Sequence, residues 1–123
     1  MSIRIDKPWG YEEIWAKTET YIGKILFIHA GHRLSLQHHI YKEENIRLIK
    51  GQLLFLLENE NGQLKSNILE PGDTAHIPPG RKHRMEAIDD CEIVEVSTTQ
   101  LTDIVRHEDD YGRVQPLDNA PQN

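Results

Sequence analysis

The chain has 123 residues, with 14 basic against 20 acidic side chains, seven histidines and a single cysteine. That length builds one hydrophobic core with room for one cavity, and a net charge of −6 spread along the chain excludes the basic face a phosphate-backbone binder needs, so no nucleic acid is expected as a partner. No apolar run approaches the roughly 20 residues of a membrane helix and the N-terminus lacks the apolar core of a signal peptide, so the reading is a soluble, cytoplasmic protein with no membrane partner.

Turn signals recur at short intervals, at Gly23, Ala30-Gly31, Asn59 to Gly62, Pro71-Gly72, Pro78-Pro79-Gly80 and Asp89-Asp90. Such spacing suits short strands rather than helices. In the first strand Trp9 and Trp15 flank Glu12-Glu13, and packing or a subunit contact is their expected role. Further strands are expected over Tyr21–Ile28, Leu34–Tyr41, Ile46–Ile49, Leu53–Leu57, Thr74–Pro78, His83–Ala87 and Ile93–Ser97, all rich in aliphatic and β-branched residues. Asn61-Gly62 predicts a type I′ hairpin, and Pro71-Gly72 a type II turn. Seven or eight such strands imply an all-β sandwich or barrel spanning residues 1–113. From Val114 onward the residues have little to bury and are expected to form a frayed tail. Cys91, beside Asp89, Asp90 and Glu92, is in surroundings that disfavour a thiolate and is read as structural.

Within Leu34–Tyr41 successive side chains point to opposite faces. Leu34, Leu36 and Ile40 share one face with His38; Ser35, Gln37, His39 and Tyr41 share the other. The apolar face needs a cover, and a second copy of the chain in a homodimer would supply it. On the polar face Gln37 and His39 point the same way. Glu44 follows just past a bend at Tyr41-Lys42-Glu43, where an adjacent strand can return its carboxylate, and His83 comes from a later hairpin. Imidazole nitrogens with carboxylate and amide oxygens suit one borderline divalent ion, so Gln37, His39, Glu44 and His83 are the candidate ligands. Zinc is the first expectation, with manganese, iron, cobalt and nickel as alternatives.

The run from Gly31 through Gln37, His39 and Glu44 to Gly51 resembles the first cupin motif, with Gln in place of its first His; Gly72, Pro78, Gly80 and His83 resemble the second. The resemblance implies the cupin double-stranded β-helix, a small jelly-roll barrel with the metal in its mouth, and adds weight to a homodimer. Lys7 to Glu12, Leu34 to Gln37 and Asp103 to Arg113 further resemble the cupin domain of type II mannose-6-phosphate isomerases, the C-terminal part of enzymes that also carry mannose-1-phosphate guanylyltransferase. No phosphate-cradling glycine loop is present, so the guanylyltransferase activity is not carried over. Tyr41 to Ile46 stand where that family runs His-Arg-Ala-Glu-His-Trp, keeping only the Glu, and Ala87 ends the second motif where cupins often have Asn. The cavity wall, and with it the substrate, is expected to differ.

The implied activity is aldose–ketose isomerisation of a small phosphorylated sugar through a metal-held enediol. That chemistry needs a Lewis acid, a base to move a proton between two carbons, and cations for the phosphate. His76, Lys42 and Glu95 are the candidate bases, Glu95 because burial between Val94 and Val96 would raise its pKa. Arg84, Arg106 and Arg113 are the candidate phosphate ligands, although alternation turns Arg84 away from the side His83 faces. Two other classes remain open: a dioxygenase using His39, Glu44 and His83 alone on iron, and a non-catalytic metal- or sugar-binding cupin partnering a separate sugar enzyme.

Overall fold

Short alternating segments become strands throughout. A computed structural model of the chain, describing residues 2–114, contains eleven strands and, among those residues, no helix. They are β1 (Ile3–Lys7), β2 (Gly10–Lys17), β3 (Ile22–Ile28), β4 (Leu36–His38), β5 (Glu44–Lys50), β6 (Leu53–Glu58), β7 (Leu64–Leu69), β8 (Thr74–Ile77), β9 (His83–Ala87), β10 (Cys91–Ser97) and β11 (Val105–Glu108). A six-stranded sheet runs β1-β2-β3-β10-β5-β8 and a five-stranded sheet runs β11-β4-β9-β6-β7. Neighbours in both pair antiparallel. This is the double-sheet jelly roll that the cupin resemblance implies.

Period-two patterning decides what each strand buries. On β10, Cys91, Ile93, Glu95 and Ser97 point inward, and Ile28, Leu26, Lys24 and Ile22 of β3 are their register partners. Leu53 and Phe55 of β6 face the core beside Met85 and Ala87 of β9, so one apolar cluster takes side chains from both sheets. Trp9 is buried in that cluster, whereas Trp15 lies on the outer face, 46% exposed. Gly51, with φ of +88°, permits the β5–β6 turn: a Cβ there would lie 2.3 Å from the Asp90 carbonyl oxygen.

Several expectations shift. The strand expected over Leu34–Tyr41 shrinks to Leu36–His38. Leu34 packs into the core, Leu36 is buried as well, and Ile40 alone of that apolar set is exposed. The hairpin at Asn61-Gly62 is a five-residue loop, since Glu58 pairs with Leu64. Asn59 Oδ1 accepts from the backbone N–H of Asn61 and Gln63, a side-chain bridge that replaces the two-residue turn. At Pro71-Gly72 the expected turn forms, with Asp73 N–H donating to Glu70 O and Gly72 at φ of +97°. Strands β1, β7 and β11 lack a buried apolar face: β1 and β7 are exposed along most of their length, and β11 is held by pairing with β4. Of the expected tail, only Val114 lies among the described residues.

Candidate metal centre

The first functional side chains come from opposite sheets. Gln37 is on β4 and His39 comes directly after its end, while His83 opens the neighbouring β9; Gln37 and His83 belong to the five-stranded sheet, and His39 extends from it. Glu44 opens β5 in the other sheet. The bend at 40–43 therefore carries the chain from one sheet to the other, and the carboxylate reaches the histidines across the barrel rather than from an adjacent strand.

The three nearest donors converge. His39 Nε2 lies 2.8 Å and His83 Nε2 3.9 Å from Glu44 Oε2, and the three ligand atoms lie within 4.8 Å of one another with all three residues buried. His39 Nδ1 donates to the Asp103 carbonyl at 2.6 Å, and His83 Nδ1 to the Arg81 carbonyl at 3.0 Å. A carbonyl only accepts, so each Nδ1 carries a proton and each ring turns Nε2, the atom that ligates once unprotonated, inward. Glu44 Oε2, buried beside both, has no hydrogen-bond partner. Imidazole nitrogens and a carboxylate oxygen at such distances need a proton or a metal cation among them. The residues present thus fit a divalent ion, with both imidazoles oriented by backbone carbonyls as ligating histidines ordinarily are. Gln37 lines the same cavity, opposite His83 in register, with only a 3.4 Å contact to the Ser35 carbonyl.

Electrostatics separate the carboxylates. Burial works to raise the Glu44 carboxyl, but His39, Lys42 and His83 outweigh it and hold the group at about 2. Glu95 goes the other way: burial first, then the charge of Glu44, raise it to about 7 against the pull of Lys42 and Lys24. Lys42 Nζ stands between them, 3.2 Å from Glu95 Oε2 and 3.8 Å from Glu44 Oε2. Burial alone would depress that ammonium; the two carboxylates reverse the effect and raise it. Burial depresses His83, against the attraction of Glu44. One cavity thus holds an ionised carboxylate beside the imidazoles and a carboxyl that can exchange a proton near neutrality.

Of the remaining candidates, Lys42 and Glu95 line the cavity and His76 does not. His76 lies on edge strand β8 with its side chain half exposed, bonded to Glu43 at 2.5 Å, so it cannot serve as a base in this cavity. Arg84 is also turned away. Its Nε donates to Leu34 O, and its head groups approach Glu108 and Asp110, which removes it from the phosphate ligands. Arg106 and Arg113 both line the cavity. Asp109 holds Arg113 by two bonds of 2.8 and 3.0 Å; Arg106 has no carboxylate within 4.0 Å among the described residues.

Sequence reasoning missed Asp103 as a support for the site. Its carboxylate accepts the backbone N–H groups of Ile40, Tyr41 and Lys42, at 2.9, 2.7 and 2.9 Å, and so fixes the bend joining His39 to Glu44. Burial raises the Asp103 carboxyl, and those three donors more than offset it. No local pattern announces a contact across 61–64 residues. Lys24, bonded to Glu12 at 3.2 Å on the cavity wall, also went unrecognised; an inward-facing lysine among β3 aliphatics was the available signal.

A family model described as mannose-6-phosphate isomerase C-terminal matches residues 1–115. The mannose-1-phosphate guanylyltransferase ManC of Salmonella typhimurium is 29% identical over 119 residues, covering 93% of this chain and 24% of that protein. A mannose-1-phosphate guanylyltransferase of Salmonella montevideo is 29% identical over 112 residues, covering 87% of this chain and 23% of the relative. The chain therefore spans about a quarter of the length of the curated relatives it matches. Among solved structures, oxalate decarboxylase from Bacillus subtilis superimposes with a TM-score of 0.77 at 17% identity, over 85% of this chain and 30% of that one. KdgF from Halomonas sp. does so with a TM-score of 0.70 at 18% identity, over 78% of this chain and 86% of that one. At such identities the likeness speaks for the fold alone.

Proposed function

We propose, since the chain belongs to the mannose-6-phosphate isomerase C-terminal family and has the cupin fold, that it is a metal-dependent aldose–ketose isomerase of a small phosphorylated sugar. The observation that carries this reading is the pairing, in one cavity, of the His39–Glu44–His83 cluster with Glu95, whose pKa stands at about 7. Isomerisation moves one proton between neighbouring carbons, and a carboxyl poised near neutrality can both take and return it. Glu95 is the base in this proposal, and Lys42, 3.2 Å away, offsets the charge it gains on losing its proton.

A divalent ion, zinc first, held by His39, Glu44 and His83 with Gln37 beside them, would supply Lewis acidity toward the sugar's oxygens. Each imidazole is kept in the ligating tautomer by its carbonyl partner. The ionised Glu44 keeps its charge at neutral pH, with Lys42 Nζ close to both carboxylates.

The test is incubation of metal-analysed protein with mannose 6-phosphate and fructose 6-phosphate. We expect interconversion with at least one of zinc, manganese, cobalt or iron, and we expect Glu95→Gln to keep its metal while turnover falls about 10²- to 10⁴-fold. Absence of turnover with all four metals would sink the isomerase. A second reading is a non-catalytic metal- or sugar-binding cupin working beside a separate sugar enzyme, and metal binding without turnover of any hexose 6-phosphate would favour it. Oxygen uptake by an iron-loaded sample would instead favour the dioxygenase.

A further inference from the structure

We propose that Arg106 is the anion-binding residue of the cavity and receives the phosphate of a ligand whose oxygens reach the metal centre. The identity of the two-ended ligand rests on the reading above; the anion site itself rests on charge and register.

Five cationic side chains line the cavity: Lys7, Lys24, Lys42, Arg106 and Arg113. Three are matched. Lys24 is bound by Glu12 at 3.2 Å, Lys42 by Glu95 at 3.2 Å, and Arg113 by both oxygens of Asp109. Asp103, also on the wall, spends its carboxylate on three backbone N–H groups. Arg106 and Lys7 have no carboxylate within 4.0 Å among the described residues. Arg106 Nε, moreover, is buried with no hydrogen-bond partner at all. A buried guanidinium N–H without an acceptor is costly, and an incoming oxyanion is the group that satisfies it. Burial, which strips water from the guanidinium, and the repulsion of Arg113 hold the Arg106 pKa below the ordinary guanidinium value, with Asp109 offsetting them in part.

Strand pairing fixes where this cation stands. Arg106 of β11 is opposite Gln37 of β4, and Gln37 is opposite His83 of β9. Residues opposite one another in register project from the same face, so Arg106, Gln37 and His83 form one row across the sheet. The row spans two strand spacings, about 10 Å. One end is a metal ligand and the other an unmatched guanidinium, with an amide between them. That polarity suits a phosphate monoester carried at the far end of a short polyhydroxy chain. Guanidinium also matches phosphate geometry better than lysine does, because its N–H groups bind two oxygens at once.

The experiment measures binding of inorganic phosphate to the metal-loaded protein by calorimetry, for wild type, Arg106→Lys, Arg106→Gln and Glu44→Gln, with metal content and unfolding midpoint recorded for each. Arg106→Gln is expected to lose about tenfold to a hundredfold in phosphate affinity with its metal content unchanged. Arg106→Lys should fall between the two. Glu44→Gln, short of metal, should still bind phosphate. The proposal is overturned if Arg106→Gln and Arg106→Lys bind as wild type does, if binding follows the metal instead of Arg106, or if wild type takes up no phosphate. Tighter binding of acetate than of phosphate would overturn the phosphate assignment. Failure of isomerase turnover with Arg106-dependent phosphate binding intact would sink the isomerisation and leave this site standing.

Discussion

The two ends of the barrel are built from the same strands, buried to the same degree, and chemically opposed. On β10, Ile93 and Cys91 at the closed end are 0% exposed; Glu95, toward the open end, is 4% exposed. Strand β5 runs from Glu44 at 2% to Leu48 at 0%, and β3 from Lys24 at 6% to Ile28 at 0%. At the closed end, burial is itself the stabilising term, through apolar surface removed from water. At the open end burial is a cost, met only because Glu44, Lys42, Glu95, Lys24 and Glu12 are matched to one another. The fold thus stores its stability at one end and its chemistry at the other.

The sharpest way to break this division is to remove volume from the closed end. Leu48 is fully buried in the apolar cluster, so Leu48→Ala should cost about 2–5 kcal/mol of stability in urea unfolding. The folded fraction should still bind one equivalent of metal. Metal loss on the same scale would show that the two ends are mechanically one. A smaller effect is expected at the open end from Asp103→Ala, which leaves the Ile40, Tyr41 and Lys42 amides without their acceptor and loosens the bend between His39 and Glu44. Metal affinity should fall about tenfold to a hundredfold, the range for residues that orient ligands. Competition with a chromogenic chelator measures it, and an unchanged affinity would remove Asp103 from the site.

The closed end was the more legible of the two from residues alone. The strand-forming composition of Ile93–Ser97 and Leu53–Leu57 is a local property, and pairing only had to honour it. The spacing of Gln37, His39, Glu44 and His83 also singled out side chains that the structure brings to one cavity. It could not show that Glu44 arrives from the opposite sheet, since sheet membership is settled by pairing partners far along the chain. The same limit explains His76. It sits in a strand entering the second motif, yet β8 is a sheet edge, and the side chain turns out to Glu43. Among the arginines, Arg84 is turned away from the cavity, Arg106 and Arg113 differ in which acids reach them, and Asp109, Glu108 and Asp110 were assigned to no particular arginine.

The smallest effect concerns that last distinction, at the rim of the open end. Arg113 binds Asp109 through two side-chain bonds, and the Arg113 backbone N–H adds a third at 2.7 Å. These bonds hold the Asp109 carboxyl at about 2, against a burial effect that works to raise it. A carboxyl depressed in the folded state binds fewer protons there than in the unfolded chain. Its contribution is therefore present above the ordinary aspartate range and is lost as pH falls toward about 2. Acidification protonates other carboxylates as well, so the informative quantity is the gap in unfolding midpoint between wild type and Asp109→Asn. That gap should be open at neutral pH and close by about pH 2, while metal content at neutral pH stays the same in both proteins. A gap that persists in acid would mean that Asp109 steadies the rim by packing, and a loss of metal at neutral pH would mean that the clasp belongs to the site it borders.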